Sequence, residues 1–259
     1  MFASRTHIGT PRSSRTDAVH ADVHTGLAIV ADGLGSDIAG ETASGLAVEL
    51  IRAFVHEGLQ GAVRPGSMIA GGSTHGSLLL RDALVHTNQM IHYRAERQGL
   101  YSGMGATVVA ALFYTGRVAI AHVGDARAYR LRGSVFEQLT RDRVLPCDGP
   151  GPEPAPAKRA THALGVRLTI MVDLMDDQLD ADDIYLFCSN ALYSVVTDAD
   201  LGLTLRIFSD NLETAAKQLI KLANDNGGRD NISVIMARAG ALPGDWRRDL
   251  WQRVSGWFS

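Results

Sequence analysis

Cysteine is scarce in this chain, and its scarcity argues against a fold held together by disulfides. Cys147 and Cys188 are the only cysteines among 259 residues, too few for the disulfide framework of a small secreted domain. Cys188 ends the apolar run Ile184 to Cys188, where a buried, inert thiol is expected. The cysteine content therefore favours a reducing compartment.

Long apolar runs and an excess of positive charge are also missing. No run approaches the roughly 20 apolar residues that a membrane-spanning helix needs, and Met1 to Arg5 lack the apolar core of a signal peptide. The formal net charge is −3, whereas nucleic-acid-binding proteins usually carry a basic patch. These features disfavour a nucleic-acid partner and predict a cytoplasmic protein.

The signatures of several enzyme classes are absent from the sequence. No pair of the nine histidines has a zinc-site spacing with an acid beside it. The sequence has no Gly-x-Ser-x-Gly elbow and no glycine-rich phosphate loop or dinucleotide fingerprint. Zinc hydrolysis, Ser-His-Asp catalysis and nucleotide binding are therefore disfavoured.

Short β-branched runs and longer amphipathic stretches indicate a mixed fold. The predicted strands are residues 27–31, 106–113, 117–123, 127–132, 168–173, 184–188 and 231–237, and the predicted helices are residues 41–56, 78–98 and 212–223. The helices are inserted as blocks between groups of strands. This order predicts an α+β fold with antiparallel sheets covered by helix pairs, in preference to a doubly wound parallel sheet.

The chain is expected to form one domain, residues 1–241, followed by a tail, residues 242–259. A hydrophobic content of 46% is enough for one substantial core. All three tryptophans lie in the tail, where a helix would align apolar side chains on one face: Trp246, Leu250, Val254, Trp257 and Phe258. Such a helix would pack on the domain, or would dock on a protein partner or a membrane surface.

Acidic residues stand next to several apolar runs. Asp32 closes one predicted strand, Asp125 follows another through a glycine, Asp230 precedes the last, and Asp17 precedes the first. Any one of them could simply cap a turn. Brought together, they would repel one another and need a cation, and oxygen ligands without a His or Cys cluster suit Mg²⁺ or Mn²⁺. The pattern predicts phosphate chemistry at a divalent-metal site.

Six segments resemble, in order, the motifs of one family. Residues Ala31 to Ser44 resemble the Asp-Gly-Met-Gly-Gly-His, Gly-Glu and Ala-Ser signature of bacterial metal-dependent serine/threonine protein phosphatases, the PPM or 2C-type family. The other segments are Gly9-x-x-Arg12 with Asp17, Gly103 to Thr107, His122 to Tyr129, Thr161 to Gly165, and Gly228 to Val234. Together they cover residues 9 to 237. One such motif would be weak, but the ordered set is specific.

The resemblance implies a central antiparallel β-sandwich flanked by helix pairs, with a binuclear Mg²⁺ or Mn²⁺ site at one end. Asp32 would bridge both ions, the backbone carbonyl of Gly33 would bind one ion, and Asp230 would bind the other. Asp125 would belong to a third, weaker ion site.

The resemblance also implies the reaction, the hydrolysis of phosphoserine and phosphothreonine on proteins in a circuit that opposes a kinase. Arg12 would hold the substrate phosphate, which suits a planar guanidinium. Asp17 would orient a water molecule between the ions. The two cations would lower the pKa of that water, so that hydroxide attacks phosphorus in line.

One departure from the family pattern falls on a metal ligand. Cys188-Ser-Asn-Ala-Leu192 stands where the family has Cys-Ser-Asp-Gly-Leu, so Asn190 replaces a metal-binding aspartate. A neutral amide oxygen would hold the ion shared with Asp230 more weakly. Two interpretations remain open: a phosphatase that needs more Mn²⁺, which the retained acids favour, and a phosphatase-like module that binds phosphoprotein or a partner without turnover.

Overall fold

Two antiparallel five-stranded sheets form the centre of the protein. The computed structural model describes residues 2–9, 14–61, 64–69, 72–97, 103–114, 116–145, 159–160 and 162–239. The strands in these ranges are β1 (Phe2–His7), β2 (Asp17–Asp22), β3 (Leu27–Leu34), β4 (Gly105–Tyr114), β5 (Arg117–Val123), β6 (Arg127–Arg132), β7 (Val135–Gln138), β8 (Val144–Leu145), β9 (Arg159–Ala160), β10 (Asp173–Gln178), β11 (Ile184–Cys188) and β12 (Ile232–Arg238). One sheet has the order β1-β12-β11-β6-β7, the other has the order β10-β5-β4-β3-β2, and β8 pairs with β9.

Helices cover the outer face of each sheet. They are α1 (Asp37–Leu59), α2 (His75–Arg97), α3 (Asn190–Tyr193), α4 (Asp198–Ile207) and α5 (Leu212–Asp225). Helices α1 and α2 pack on the sheet that contains β3, and α3 to α5 pack on the sheet that contains β12. The described residues thus form the α+β sandwich with flanking helices that the sequence predicted.

Alternation along the strands separates the core into layers. In β3, Ile29 packs against the helices while Ala28 and Val30 face the other sheet, because successive side chains of a strand point to opposite faces. Phe113 and Tyr185 meet edge to face between the sheets, with ring centroids 5.5 Å apart. The space between the sheets is therefore apolar along most of its length, and polar groups on those faces are confined to its ends.

Several predicted elements were found at their predicted bounds. Strands β5, β6 and β11 span the predicted residues. The bounds of α1, α2 and α5 lie within four residues of the predicted bounds. Seven short elements were not predicted from the sequence: β1, β2, β7, β8, β9, α3 and α4. Asp17 begins β2 instead of preceding the first strand.

The strand predicted at residues 168–173 is wrong. The strand of this region is β10, which begins at Asp173 and pairs with β5, while the described residues 166–172 pair with no strand. The apolar residues that suggested a strand do contact the core, since Ile170 and Val172 pack against it. They form no backbone pairing with a strand.

The tail at residues 242–259 lies outside the described residues, as do residues 146–158, which contain five prolines. The boundary predicted at residue 241 therefore stays a prediction. Among the described helices, none is long and apolar enough to cross a bilayer.

Candidate metal centre

Asp17 and Asp32 are direct cross-strand partners at one end of the sandwich. They stand opposite each other in the β2 and β3 register, and both are buried. Asp32 lies two residues after Val30, so its side chain is on the same inner face of the strand. The strand period therefore brings two carboxylates together where the apolar layer ends.

Asp230 reaches the same end of the sandwich from the other sheet. It lies just before β12. The backbone N–H of the next residue, Asn231, donates a hydrogen bond of 2.8 Å to Asp230 Oδ1. The turn packs tightly against Gly9, where a Cβ would lie only 2.2 Å from the Asp230 carbonyl oxygen. Gly9 also has a φ of +78°, so both backbone conformation and close approach require glycine here.

Asn231 joins the Asp230 turn to the N-terminal segment. Its side-chain nitrogen donates to the carbonyl oxygens of Ile8 and Ser14, each at 3.1 Å, and its Oδ1 accepts from Thr16 N at 3.0 Å. Residues 10–13 lie outside the described residues, and Arg12, the predicted phosphate-binding arginine, is among them. Asn231 therefore holds the chain on both sides of Arg12.

Asp125 is buried beside the first residue of α3. Asn190 Nδ2 donates to Asp125 Oδ2 at 3.4 Å, and the Tyr193 hydroxyl donates to the Asp125 carbonyl oxygen at 2.9 Å. The preceding Gly124 has a φ of +99°, and a Cβ there would lie 2.5 Å from the Thr107 side chain. The Asn190 side chain is thus a hydrogen-bond partner of Asp125, and its amide nitrogen faces the carboxylate.

Gly33, the predicted carbonyl ligand, allows β3 to approach the first turn of α1. A Cβ at Gly33 would lie 2.0 Å from the Gly40 carbonyl oxygen, and a Cβ at Gly40 would lie 3.0 Å from the Gly33 carbonyl oxygen. Gly33 N donates to the Thr16 carbonyl oxygen at 2.9 Å. The Gly33 carbonyl is therefore fixed directly after Asp32, beside the start of the helix.

Burial and neighbouring acids raise the pKa of Asp32. Burial raises the pKa of Asp32 well above its usual value, and the charges of Asp17, Asp125 and Asp230 raise it further. Burial also raises the pKa of Asp17 to about 7, although Ser233 and Ser189 partly oppose this shift. The four carboxylates therefore form one electrostatic cluster that favours protons or cations.

A similar balance operates at Asp125. Burial raises the pKa of Asp125, the hydrogen bond from Asn190 lowers it, and the charge of Asp142 raises it again. The Asn190 amide therefore supplies part of the stabilisation of the carboxylate that a cation would otherwise supply.

Several buried carboxylate oxygens lack a hydrogen-bond donor among the described residues. They are both side-chain oxygens of Asp17 and Oδ1 of Asp125. The hydroxyls of Ser189 and Ser233 affect the pKa of Asp17, but each makes its hydrogen bond to another group. Buried oxygens without partners are costly, and a cation, or the water that a cation carries, would satisfy them.

The described residues do not form a closed metal cage. No group of three His, Cys, Asp or Glu side chains within them is compact enough to hold an ion alone. Carboxylates, a backbone carbonyl and bound water are, however, the ligand set of Mg²⁺ and Mn²⁺. The cluster therefore fits an open site in which water completes the coordination of a hard ion.

The acids were predicted from the sequence, but two residues that hold them in place were not. These are Asn231 and Tyr193. Asn231 directly follows Asp230 in a quoted motif, so a signal was available, whereas the contact from Tyr193 to Asp125 joins residues 68 positions apart.

Comparisons with known proteins agree in pointing to one family. The family model described as Protein phosphatase 2C matches residues 3–145. The serine/threonine protein phosphatase PstP of Mycobacterium tuberculosis is 32% identical over 252 residues, covering 91% of this chain and 44% of that protein. Serine/threonine phosphatase stp of Listeria innocua is 33% identical over 219 residues, covering 81% of this chain and 83% of that protein. The chain thus spans less than half the length of PstP.

Solved structures share the fold over nearly the whole chain. The crystal structure of the Mycobacterium tuberculosis phosphatase PstP/Ppp superposes with a TM-score of 0.76 at 27% identity, covering 92% of this chain and 97% of that chain. The catalytic domain of PstP in complex with two manganese ions superposes with a TM-score of 0.74 at 28% identity, covering 92% of this chain and 97% of that chain.

Proposed function

Because this chain belongs to the protein phosphatase 2C family, we propose that it hydrolyses phosphoserine and phosphothreonine on proteins with the help of divalent metal ions. The observation that carries the proposal is the buried cross-strand pair Asp17 and Asp32. Near it, both side-chain oxygens of Asp17 and Oδ1 of Asp125 have no hydrogen-bond donor among the described residues. When ionised, a pair of this kind is destabilising unless a cation joins it. The manganese in the related PstP domain supports Mn²⁺ or Mg²⁺ as that cation.

The proposal assigns a role to each acid around the centre. Asp32, the Gly33 carbonyl and Asp230 would hold two ions. Asn190 would hold the ion shared with Asp230 through its amide oxygen, and Asp125 would form a third, weaker position. These assignments use side-chain and backbone oxygen atoms that lie at one end of the sandwich.

Bound cations would supply Lewis acidity and a water of lowered pKa. The chain itself would orient that water through Asp17, whose side-chain oxygens have no hydrogen-bond donor among the described residues. Arg12 would bind the phosphate through its planar fork of donors. Asn231 would fix the segment that carries Arg12, because it binds the chain on both sides of it.

A second candidate function is a phosphatase-like module that binds a phosphoprotein or another partner without turnover. The observation that favours it is the hydrogen bond from Asn190 to Asp125, since an amide that donates to the carboxylate competes with a cation there. The retention of Asp17, Asp32, Asp125 and Asp230 favours the enzyme.

The test is hydrolysis of an aryl phosphate and of a phosphothreonine peptide across a range of Mn²⁺ concentrations, with EDTA as control. We expect Mn²⁺-dependent release of phosphate, abolished in Asp32→Asn. Asp22→Asn is a matched control, because Asp22 lies on the same strand as Asp17 at its opposite end. Manganese binding without phosphate release would favour the non-catalytic module instead.

The finer biological assignments are part of the same proposal. A phosphoprotein phosphatase opposes a serine/threonine kinase, and kinases draw on the ATP of the cytoplasm, which we therefore propose as the location. The tail at residues 242–259 would recruit a protein partner or a membrane surface through its tryptophan-bearing face.

A further inference from the structure

The apolar run that was predicted as a strand leaves large apolar side chains in solvent. Ile170 and Val172 pack against the core. Val166, Leu168 and Met171, by contrast, are 49%, 65% and 58% exposed. We call these three exposed side chains the apolar ridge. Solvent exposure of neighbouring large apolar side chains is typical of an interaction site.

The ridge is held rigidly on α2. Asn88 Nδ2 donates to the carbonyl oxygens of Arg167 and Leu168 at 2.9 and 3.0 Å, and Asn88 Oδ1 accepts from Gly165 N at 2.8 Å. Gly165 has a φ of +85°, and a Cβ there would lie 2.3 Å from Ile91 Cγ2. The backbone under the ridge is therefore fixed, and little ordering entropy would be lost on binding.

The ridge continues directly from the metal centre. Leu164 and Ala106 exchange two backbone hydrogen bonds, of 3.0 and 2.8 Å, and Ala106 neighbours Thr107, the cross-strand partner of Asp32. From Leu164 to Leu168 the chain advances four residues, at most about 14 Å when extended. A peptide whose phosphorylated residue lies at the centre would need only a few residues to reach the ridge.

The ridge also carries a positive charge. Arg167 lies between Val166 and Leu168, it is exposed, and it has no ion-pair partner among the described residues. A cation flanked by apolar side chains is complementary to a peptide that has both an acidic and an apolar residue.

If the chain has the activity proposed above, we propose that the apolar ridge and Arg167 bind the residues that flank the phosphorylated side chain of a protein substrate. The preferred substrate would carry an apolar residue and an acidic residue a few positions from its phosphoserine or phosphothreonine. Continuity with the metal centre and the charge of Arg167 identify this occupant. The ridge would then select the substrate, and the metal centre would catalyse the reaction.

The experiment compares a large and a small substrate in the variant Leu168→Ser/Met171→Ser. We expect KM for a phosphothreonine peptide with flanking Leu and Glu to rise about tenfold or more, since apolar burial is lost. The kinetic constants for an aryl phosphate, which is too small to reach the ridge, should not change. Arg167→Gln should raise KM only for peptides that carry the acidic residue.

A matched control comes from the opposite helix layer. Leu203 and Ile207 on α4 are 49% and 63% exposed, and Leu203→Ser/Ile207→Ser should leave both substrates unaffected. An equal KM rise for the peptide in this control would overturn the proposal, as would equal losses on both substrates in the ridge variant.

Two further measurements keep the proposal falsifiable. All tryptophans lie at residues 246–257, so tryptophan emission reports on that segment. A shift of this emission or a lower Tm in the ridge variant would mean that another part of this chain covers the ridge. That result would overturn substrate docking. Binding of a fluorescent phosphopeptide in EDTA tests the ridge even if no substrate is hydrolysed. Unchanged peptide affinity in the ridge variant would refute the ridge, whereas absent hydrolysis with intact binding would refute only the proposed reaction.

Discussion

Asp17 illustrates the conflict between stability and function at a single residue. Its carboxylate is buried beside Asp32, and burial raises its pKa to about 7. Without a cation, the ionised form is therefore destabilising in the folded state. Both of its side-chain oxygens lack a hydrogen-bond donor among the described residues, so they are available to orient water at the metal centre.

Asp17→Asn should accordingly stabilise the metal-free protein and impair the enzyme. We expect the free energy of unfolding in EDTA at about pH 8 to rise by roughly 1 to 3 kcal/mol, because a desolvated charge is removed. Aryl phosphate hydrolysis in Mn²⁺ should fall. Urea denaturation and steady-state kinetics measure the two effects.

Asp22→Asn is the control on the same strand. Asp22 is partly desolvated, but hydrogen bonds from His24 N and the Thr25 hydroxyl lower its pKa. Its replacement should slightly destabilise the protein and leave activity intact. A stabilising effect at Asp22 equal to that at Asp17 would contradict the explanation from burial.

Asn190→Asp should strengthen metal binding and weaken the metal-free fold. The substitution removes the donor to Asp125 and places a second carboxylate beside it, so repulsion lowers stability in EDTA. In Mn²⁺ the added charge should lower the concentration for half-maximal activity. Thermal unfolding and Mn²⁺ titration by calorimetry are the measurements, and an unchanged or raised Mn²⁺ requirement would contradict this account of position 190.

Asn231→Ala should separate positioning from chemistry. Three hydrogen bonds to the chain around Arg12 would be lost from a buried site, which should cost about 2 kcal/mol of stability. We expect KM to rise more than kcat falls, because phosphate binding depends on Arg12. Asn231→Asp keeps the acceptor for Thr16 N but sets a carboxylate against the two carbonyl oxygens, so it should lose at least as much stability as Asn231→Ala. A clearly smaller loss in Asn231→Asp would argue against the donor role.

At the scale of elements, length decided which helices the sequence revealed. Helices α1 and α2 each have 23 residues, enough for several turns of apolar repeat. Helix α4 has 10 residues, and its N-cap, Thr197, accepts from Asp200 N at 3.2 Å. Such a cap was visible in the sequence, but the short apolar pattern behind it did not distinguish a helix from a loop.

The segment before β10 shows the opposite error. Its alternation of inward and outward side chains is that of a strand, yet β10 begins later, at Asp173. Side-chain alternation requires only an extended backbone against a core, whereas a strand also requires a neighbouring strand. Hydrogen bonds from the Asn88 side chain hold part of this segment instead.

Gly165→Ala tests how firmly this segment is fixed to α2. The new Cβ would meet both an unfavourable φ and Ile91 Cγ2 at 2.3 Å, so we expect a loss of roughly 2 to 4 kcal/mol of stability. Gly116→Ala is the control, since its φ is +70° but no atom lies within 4 Å of the added Cβ. It should lose only about 1 kcal/mol, and equal losses measured by urea denaturation would mean that the contact with α2 is unimportant.

At the scale of the whole molecule, the sandwich brings distant carboxylates together and thereby makes stability depend on pH. Asp17, Asp32 and Asp125 all have a pKa raised above the ordinary value of 3.8. The folded chain therefore keeps protons that the unfolded chain releases. Stability from these groups is full below the unfolded pKa and is lost as pH rises through the folded pKa, which is about 7 for Asp17.

The metal-free protein should therefore become less stable from about pH 5 to about pH 8, by up to about 1.4 kcal/mol per pH unit for each titrating group. Mn²⁺ competes with protons for the carboxylates, so its stabilising effect should grow over the same range. Thermal unfolding in EDTA and in Mn²⁺ across this range is the measurement. A metal-free protein that gains stability towards pH 8 would show that the cluster is not desolvated as described.

The sequence by itself determined the α+β class, the family and the identity of the acids, because these depend on local periodicity and on the order of motifs along the chain. Only the tertiary structure decided which of those acids face one another, since Asp17 and Asp32 meet through strand register and Asp230 arrives from the other sheet. It also decided that Asn190 donates to Asp125 and that residues 166–172 stay unpaired and partly exposed. Contacts between residues far apart in the chain depend on how the layers pack, and no local pattern encodes them.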